Sequence, residues 1–140
     1  MARVSTYLNF MGNTEEAFEF YRSVFGGEFL GPIQRMGDTG AVPADEADKV
    51  MHIELETLGG HVIMGTDMLK SMGHELRVGN NTTINLEPDT RAEADRLFGL
   101  LSDGGSDAVG MMDMAWGAYW GCCLDRYSIR WMINCAEASA

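Results

Sequence analysis

The sequence predicts an α+β fold in which one β-α-β-β-β unit is made twice. Three observations predict it. Residues 13–27 form an amphipathic stretch that closes on Gly26-Gly27. Residues 89–105 echo that stretch and close on Gly104-Gly105. Each stretch follows a short apolar run and precedes further strand-like runs. Two such units are expected to pair into one curved, mostly antiparallel sheet, with the helices on its convex side and a concave side left for a ligand. The expected bounds are 1–67 for the first unit, 68–79 for a linker and 80–137 for the second, all within one domain of 140 residues.

Val4 to Phe10 reads as the first strand. Asn13-Thr14-Glu15-Glu16 then reads as a helix start, with Asn13 as cap and two acids at the positive end of the helix dipole. Ala17, Phe20, Tyr21, Val24 and Phe25 recur at helical spacing as one buried stripe. Gly26-Gly27 ends the helix, since glycine takes the left-handed turn without a Cβ penalty. Glu28 to Met36 is the expected second strand, bent at Pro32. Residues 37–49 are polar and acidic and read as an exposed loop. Val50 to Thr57 alternates, with Met51, Ile53 and Leu55 on one face and His52, Glu54 and Glu56 on the other. Gly59-Gly60 turns the chain into a strand from His61 to Gly65.

Residues 66–80 show no period and read as the connection, with His74 solvated on it. Asn81 to Leu86 restarts the pattern. Thr90-Arg91-Ala92-Glu93 has the form of a capping box, and Ala94, Leu97, Phe98 and Leu101 supply the second buried stripe. Ser106 to Met112, Ala118 to Leu124 and Ile129 to Asn134 are the last three strands, with a turn at Tyr127-Ser128. Two copies of such a unit do not make a solenoid, which needs more.

The bulk numbers exclude several classes. The chain is 46% hydrophobic with 22% charged residues, a globular composition. A formal net charge of -11 opposes nucleic-acid binding and docking on an anionic membrane. No apolar run has the length of a membrane span. Met1-Ala2-Arg3-Val4 runs straight into a strand pattern, without the basic start and apolar core of a signal peptide. The expectation is a cytoplasmic protein. Cys122, Cys123 and Cys135 are the three cysteines. They lack CxxC spacing and read as reduced, mostly buried thiols.

The chain resembles the vicinal oxygen chelate superfamily, which includes glyoxalase I, extradiol dioxygenases and the fosfomycin- and bleomycin-resistance proteins, and within it the PhnB-like branch. Tyr7-Leu8-Asn9-Phe10, Glu15-Glu16-Ala17-Phe18-Glu19-Phe20-Tyr21 and Val24-Phe25-Gly26-Gly27 carry the resemblance in the first half. Trp116-Gly117, Tyr119-Trp120-Gly121, Asp125 and Trp131-Met132-Ile133-Asn134 carry it in the second. The family shows Asp-Pro-Phe-Gly or Asp-Lys-Phe-Gly before the last strand. This chain has Asp125-Arg126-Tyr127-Ser128, which is expected to change the turn and not the fold. Some PhnB-like sequences bear the name demethylubiquinone methyltransferase. No glycine-rich cofactor loop followed by an acid for a ribose occurs here, so a methyltransferase is not expected.

Metal-dependent members of the superfamily place His, Gln and Glu on four strands. Mapped by motif, those slots fall on Thr6 or Tyr7, near Met64, on Thr83 and on Met132. None is a good ligand for a hard or borderline cation, and the resemblance therefore implies a metal-free cavity. His52 and Glu54, two residues apart on one strand face, are the candidate catalytic pair. His61, across the Gly-Gly turn, is expected near Glu54 or Glu56.

Trp116, Trp120 and a methionine-rich segment suit the wall of an apolar pocket. The expected ligand pocket comprises Tyr7, Asn9, Met64, Thr83, Asn85, Trp116, Trp120 and Met132. The leading expectation is a homodimeric protein that binds a small organic ligand without a metal. The alternatives are a lyase, isomerase or dioxygenase-type enzyme built on His52, Glu54 or a recruited divalent ion, and a dimeric protein with no chemistry.

Overall fold

The structure is a computed structural model that describes residues 1–40 and 42–139. The chain divides into two compact units, Met1–Arg77 and Val78–Ala140. In the first unit, β1 (Thr6–Phe10) leads into α1 (Thr14–Phe25), followed by β2 (Gln34–Arg35), β3 (Val50–Glu56) and β4 (Val62–Asp67). The sheet order is β1-β4-β3-β2, with β1 parallel to β4 and the other pairs antiparallel. The second unit repeats it. There β5 (Ile84–Leu86), α2 (Arg91–Ser102), β6 (Ser106–Asp113), β7 (Tyr119–Leu124) and β8 (Arg130–Cys135) form a sheet of order β5-β8-β7-β6, with β5 parallel to β8.

In the first unit α1 covers one face of its sheet. Ala17, Phe18, Tyr21 and Val24 are buried on the helix, and Leu8, Phe10, Ile53, Leu55 and Ile63 on the strands. The stripe is rotated from the expected one: Phe18 is fully buried, whereas Phe20 and Phe25 lie at its edge. The cause lies on β4. A Cβ at Gly65 would sit 2.5 Å from Phe18 Cε1, so the absence of a side chain there admits the Phe18 ring. Phe10 meets that ring edge-on, with centroids 6.3 Å apart.

Asn13 does not cap α1 through its side chain. Asp67, 3% exposed at the end of β4, does so instead. Its Oδ1 accepts from Thr14 N at 3.0 Å and Thr14 Oγ1 at 2.7 Å, and its Oδ2 accepts from Val50 N at 2.8 Å. One carboxylate thus ties the helix start to two strands. In α2 the Thr90 half of the expected capping box is present, with Glu93 N donating to Thr90 Oγ1 at 3.1 Å. The Glu93 carboxylate meets Arg96 at 2.6 Å.

The expected second strand, Glu28 to Met36, is reduced to Gln34–Arg35. Gly31 takes a left-handed φ of 83° just before Pro32, which breaks the extended run. The two residues are held at the sheet edge by Arg35, whose fork donates to both oxygens of Glu15 on α1 at 2.9 and 3.0 Å. The strand before α2 is likewise shorter than expected, Ile84–Leu86.

The turn before β8 centres on Asp125, 2% exposed. Its Oδ1 accepts from Tyr127 N and Ile129 N at 2.8 and 3.0 Å, and its Oδ2 from Trp131 Nε1 at 2.8 Å. Ser128 occupies the left-handed region at φ 68°, where the related motif has glycine. A Cβ there costs about 1 kcal/mol. Ser128→Gly is expected to stabilise the chain by about 0.5 kcal/mol after glycine's greater unfolded-state entropy, read as a rise in urea midpoint. An unchanged or lowered midpoint contradicts this.

Candidate functional site

Strand alternation sorts the site candidates by face. In the first unit the side of the sheet away from α1 carries Tyr7 and Asn9 from β1, His52 and Glu54 from β3, and Met64 and Thr66 from β4. Met64 lies opposite Tyr7 on one side and Glu54 on the other, and Asn9 lies opposite Thr66. Tyr7 is 45% exposed. Its hydroxyl is 2.8 Å from His52 Nδ1, and His52 Nε2 is 2.9 Å from Glu54 Oε1. His52 and Glu54 are half-buried, and Arg3 reaches Glu54 only at 4.0 Å.

This chain fixes what His52 can do. A carboxylate only accepts, so Nε2 donates to Glu54, and Nδ1 is turned to the Tyr7 hydroxyl. Both ring nitrogens are engaged, and none is left to take a proton from a bound molecule. Burial, followed by the charge of Glu54, holds the Tyr7 phenol above its ordinary value against a lowering hydrogen bond from Thr66. The outward end of the chain is therefore a neutral phenol, which suits hydrogen bonding better than proton abstraction.

His61 stands elsewhere than expected, whereas His74 is exposed on the connection, as expected, with one added role. His61 alternates onto the α1 side of the sheet, where its Nε2 lies 2.8 Å from Thr6 Oγ1, and it does not join Glu54 or Glu56. The Nδ1 of His74 accepts from Leu69 N at 2.9 Å and closes the turn after β4.

In the second unit Tyr119, Gly121 and Cys123 on β7 and Trp131, Ile133 and Cys135 on β8 face α2. The opposite face carries Trp120, Cys122 and Leu124, then Arg130, Met132 and Asn134. Cys122 lies opposite Met132, Trp120 opposite Asn134 and Leu124 opposite Arg130, while Asn85 lies across Met132 on β5. Trp120, Cys122, Met132 and Asn134 are half-exposed. Asn85 is exposed, as is Thr83, which precedes β5. Trp116 sits on the turn between β6 and β7 and is 69% exposed. It walls a hollow of about 380 Å³ with Glu87, Gly117, Ala118, Asn134 and Ala136. That lining is mixed in polarity.

The cysteines are free, with Cys123 and Cys135 buried and Cys122 intermediate. Burial, then nearby Asp125, pushes the Cys123 thiol up to about 11, so it stays protonated and unreactive near neutral pH.

The superfamily's metal does not fit these side chains. Thr6, Tyr7, Met64, Thr83 and Met132 offer hydroxyl, phenol and thioether. Among the described residues no group of three or more His, Cys, Asp or Glu converges to hold an ion. The pair His52–Glu54 is two ligands, already bonded to each other. Sequence reasoning gave no site role to Asn134 and Arg130, which share this face of the second unit, and none to Asp67, which caps α1. Asn134 and Arg130 could have been found by continuing the alternation through Met132.

A helix laid on a sheet of order β1-β4-β3-β2, made twice in one chain, defines an α+β protein of the glyoxalase/bleomycin-resistance/dioxygenase class. A glyoxalase/bleomycin resistance protein/dioxygenase family enzyme from Burkholderia phytofirmans shares the fold at a TM-score of 0.60 and 19% identity, over 94% of this chain and 98% of that one. Within this class the chain belongs to the PhnB-like family described as 3-demethylubiquinone-9 3-methyltransferase, whose model matches residues 2–134. It is similar to protein PA1353 from Pseudomonas aeruginosa, 34% identical with a TM-score of 0.83, covering 96% of this chain and 98% of that one. A PhnB protein from Bacillus cereus, a putative 3-demethylubiquinone-9 3-methyltransferase, has the same fold at 24% identity and a TM-score of 0.78, over 96% of this chain and 100% of that one. Protein YjdN of Escherichia coli is 23% identical over 94% of this chain and 93% of its own length. Among the described residues no helix is long and apolar enough to cross a membrane.

Proposed function

We propose that this protein binds a small, flat organic molecule on the sheet surface away from α2, without the metal used by catalytic members of its superfamily. The observation that carries the reading is the hollow of about 380 Å³ walled by Trp116, a large aromatic left 69% exposed. Leaving so large an apolar side chain in water is unfavourable, and a flat ligand stacked on it recovers the burial. Asn134 supplies hydrogen bonds at the same place, and the neighbouring row of Trp120, Cys122 and Met132 offers polarizable apolar surface. The chemistry of the slot residues supports the metal-free part of the reading. Catalysis by His52 is disfavoured because Tyr7 and Glu54 occupy both of its nitrogens. The reading does not extend to methyl transfer, for which the chain has no recognisable cofactor loop.

Titration with flat aromatic compounds, followed by tryptophan fluorescence, tests it. A saturable change is expected in the wild type, and Trp116→Ala is expected to weaken binding about tenfold through lost stacking and burial. A panel that gives no saturable change overturns the reading, as does a Trp116→Ala variant that binds equally well.

A further inference from the structure

Arg130 is the polar residue of the second unit that the fold leaves least satisfied. Its side chain is 22% exposed, yet the nearest carboxylate, Oδ2 of Asp107, lies 3.9 Å from Nη2. Its Nε is buried and finds no hydrogen-bond partner among the described residues. Other arginines contrast with it. Arg22, Arg35, Arg91, Arg96 and Arg126 each hold a carboxylate at between 2.6 and 3.3 Å. A buried donor without an acceptor costs about 1–3 kcal/mol, and more on a charged group, so such a group calls for a partner.

The surroundings say what kind of partner fits. Arg130 alternates with Met132 and Asn134 on the β8 face turned away from α2. Successive members of that row stand about 7 Å apart, so its length is about 13 Å. The guanidinium is at one end, Asn134 and its cross-strand neighbour Trp120 at the other, with Cys122 and Met132 between. Nε is sealed from solvent, so a ligand meets the terminal nitrogens, which form a planar fork that matches the two oxygens of a carboxylate. In a chain of net charge -11, a half-buried cation at the end of a row of thiol, thioether and indole surface selects an anion with a flat apolar body.

We propose that Arg130 anchors the carboxylate of a small, flat organic acid whose apolar body lies along Met132 and Cys122 toward Trp120. The proposal rests on the reading of this face as the ligand surface and adds the chemical class of the ligand. In ¹⁵N-labelled protein, the Arg130 Nε–H resonance is assigned by its loss in Arg130→Lys. The wild type is then titrated with 2-naphthoate and, separately, with its neutral counterpart 2-naphthamide.

Naphthoate is expected to shift the Nε–H signal saturably, with naphthamide binding at least about tenfold more weakly. Arg130→Lys, which keeps the charge but not the fork, is expected to weaken naphthoate about tenfold. Should acid and amide bind alike, the carboxylate anchor is wrong while the ligand surface stands. Should neither perturb Trp116, Trp120, Met132 or Arg130, both readings fall. The acid–amide comparison uses wild-type protein, so it decides even where the variant folds poorly.

Discussion

Gly105→Ala is expected to prevent the second unit from folding. A Cβ at Gly105 would lie far inside van der Waals contact with the carbonyl oxygen of Leu124 and 3.1 Å from both C and Cα of Asp125. These are backbone atoms at the end of β7, so no rotamer change relieves the clash. Moving them also drags Asp125 off Tyr127 N, Ile129 N and Trp131 Nε1. A forced backbone shift of this size together with a disrupted buried carboxylate costs about 4 kcal/mol or more, a large share of the stability of a domain this size. The expected outcome is loss of soluble protein, or a melting temperature lower by at least about 10 °C. Gly99→Ala is the control. Gly99 lies exposed within α2 with nothing near its Cβ position, and alanine there is expected to stabilise by about 0.5–1 kcal/mol. A Gly105→Ala protein that melts with the wild type would refute the close approach of Gly105 to β7.

Removing the carboxylate of Asp67 is expected to cost about 3–5 kcal/mol. Asp67→Ala leaves the amides of Thr14 and Val50 and the Thr14 hydroxyl without their acceptor in the interior of the first unit. It also withdraws a negative charge from the start of α1. Asp67→Asn keeps the shape but turns an NH₂ group toward one of those donors, so an intermediate loss of about 2 kcal/mol is expected. Urea unfolding of the two variants and the wild type gives the ordering directly. The assignment fails if the alanine variant is as stable as the wild type, or if asparagine is the worse of the two.

The helices and the longer strands were legible because their signals are local. The spacing of Ala94, Leu97 and Leu101 marked the buried face of α2, and the hydroxyl of Thr90 marked its start. What the sequence could not show depends on residues far apart in it. Asn13 is a good cap by type, but Asp67 takes the role because β4 ends beside Thr14. Phe18 displaces Phe20 from the core because Gly65, on a different element, leaves room for its ring. The strand expected over residues 28–36 contracts because a left-handed glycine and a proline outweigh its apolar residues.

The site divides in the same way. His52 and Glu54 share a face by simple alternation and were found together. Tyr7 joins them only through the pairing of β1 with β4 and of β4 with β3, which supplies both neighbours of Met64. His61 was expected with the acids because it follows the same turn, but just before β4 the alternation of that strand sends it to the helix side. Arg130 drew no notice in sequence, since a lone arginine on a strand reads as a solvated edge. Only its shortage of acceptors distinguishes it.

The three tryptophans see very different surroundings, and that difference is usable. Trp131 is sealed from water, with its indole N–H bonded to Asp125, and is expected to emit toward the blue whatever is added outside. Trp116 stands in water, so its emission belongs at the red edge and responds to anything stacked upon it. The protein thus carries a built-in reference lamp beside its sensor, and the ratio of the two bands reports occupancy without any attached dye.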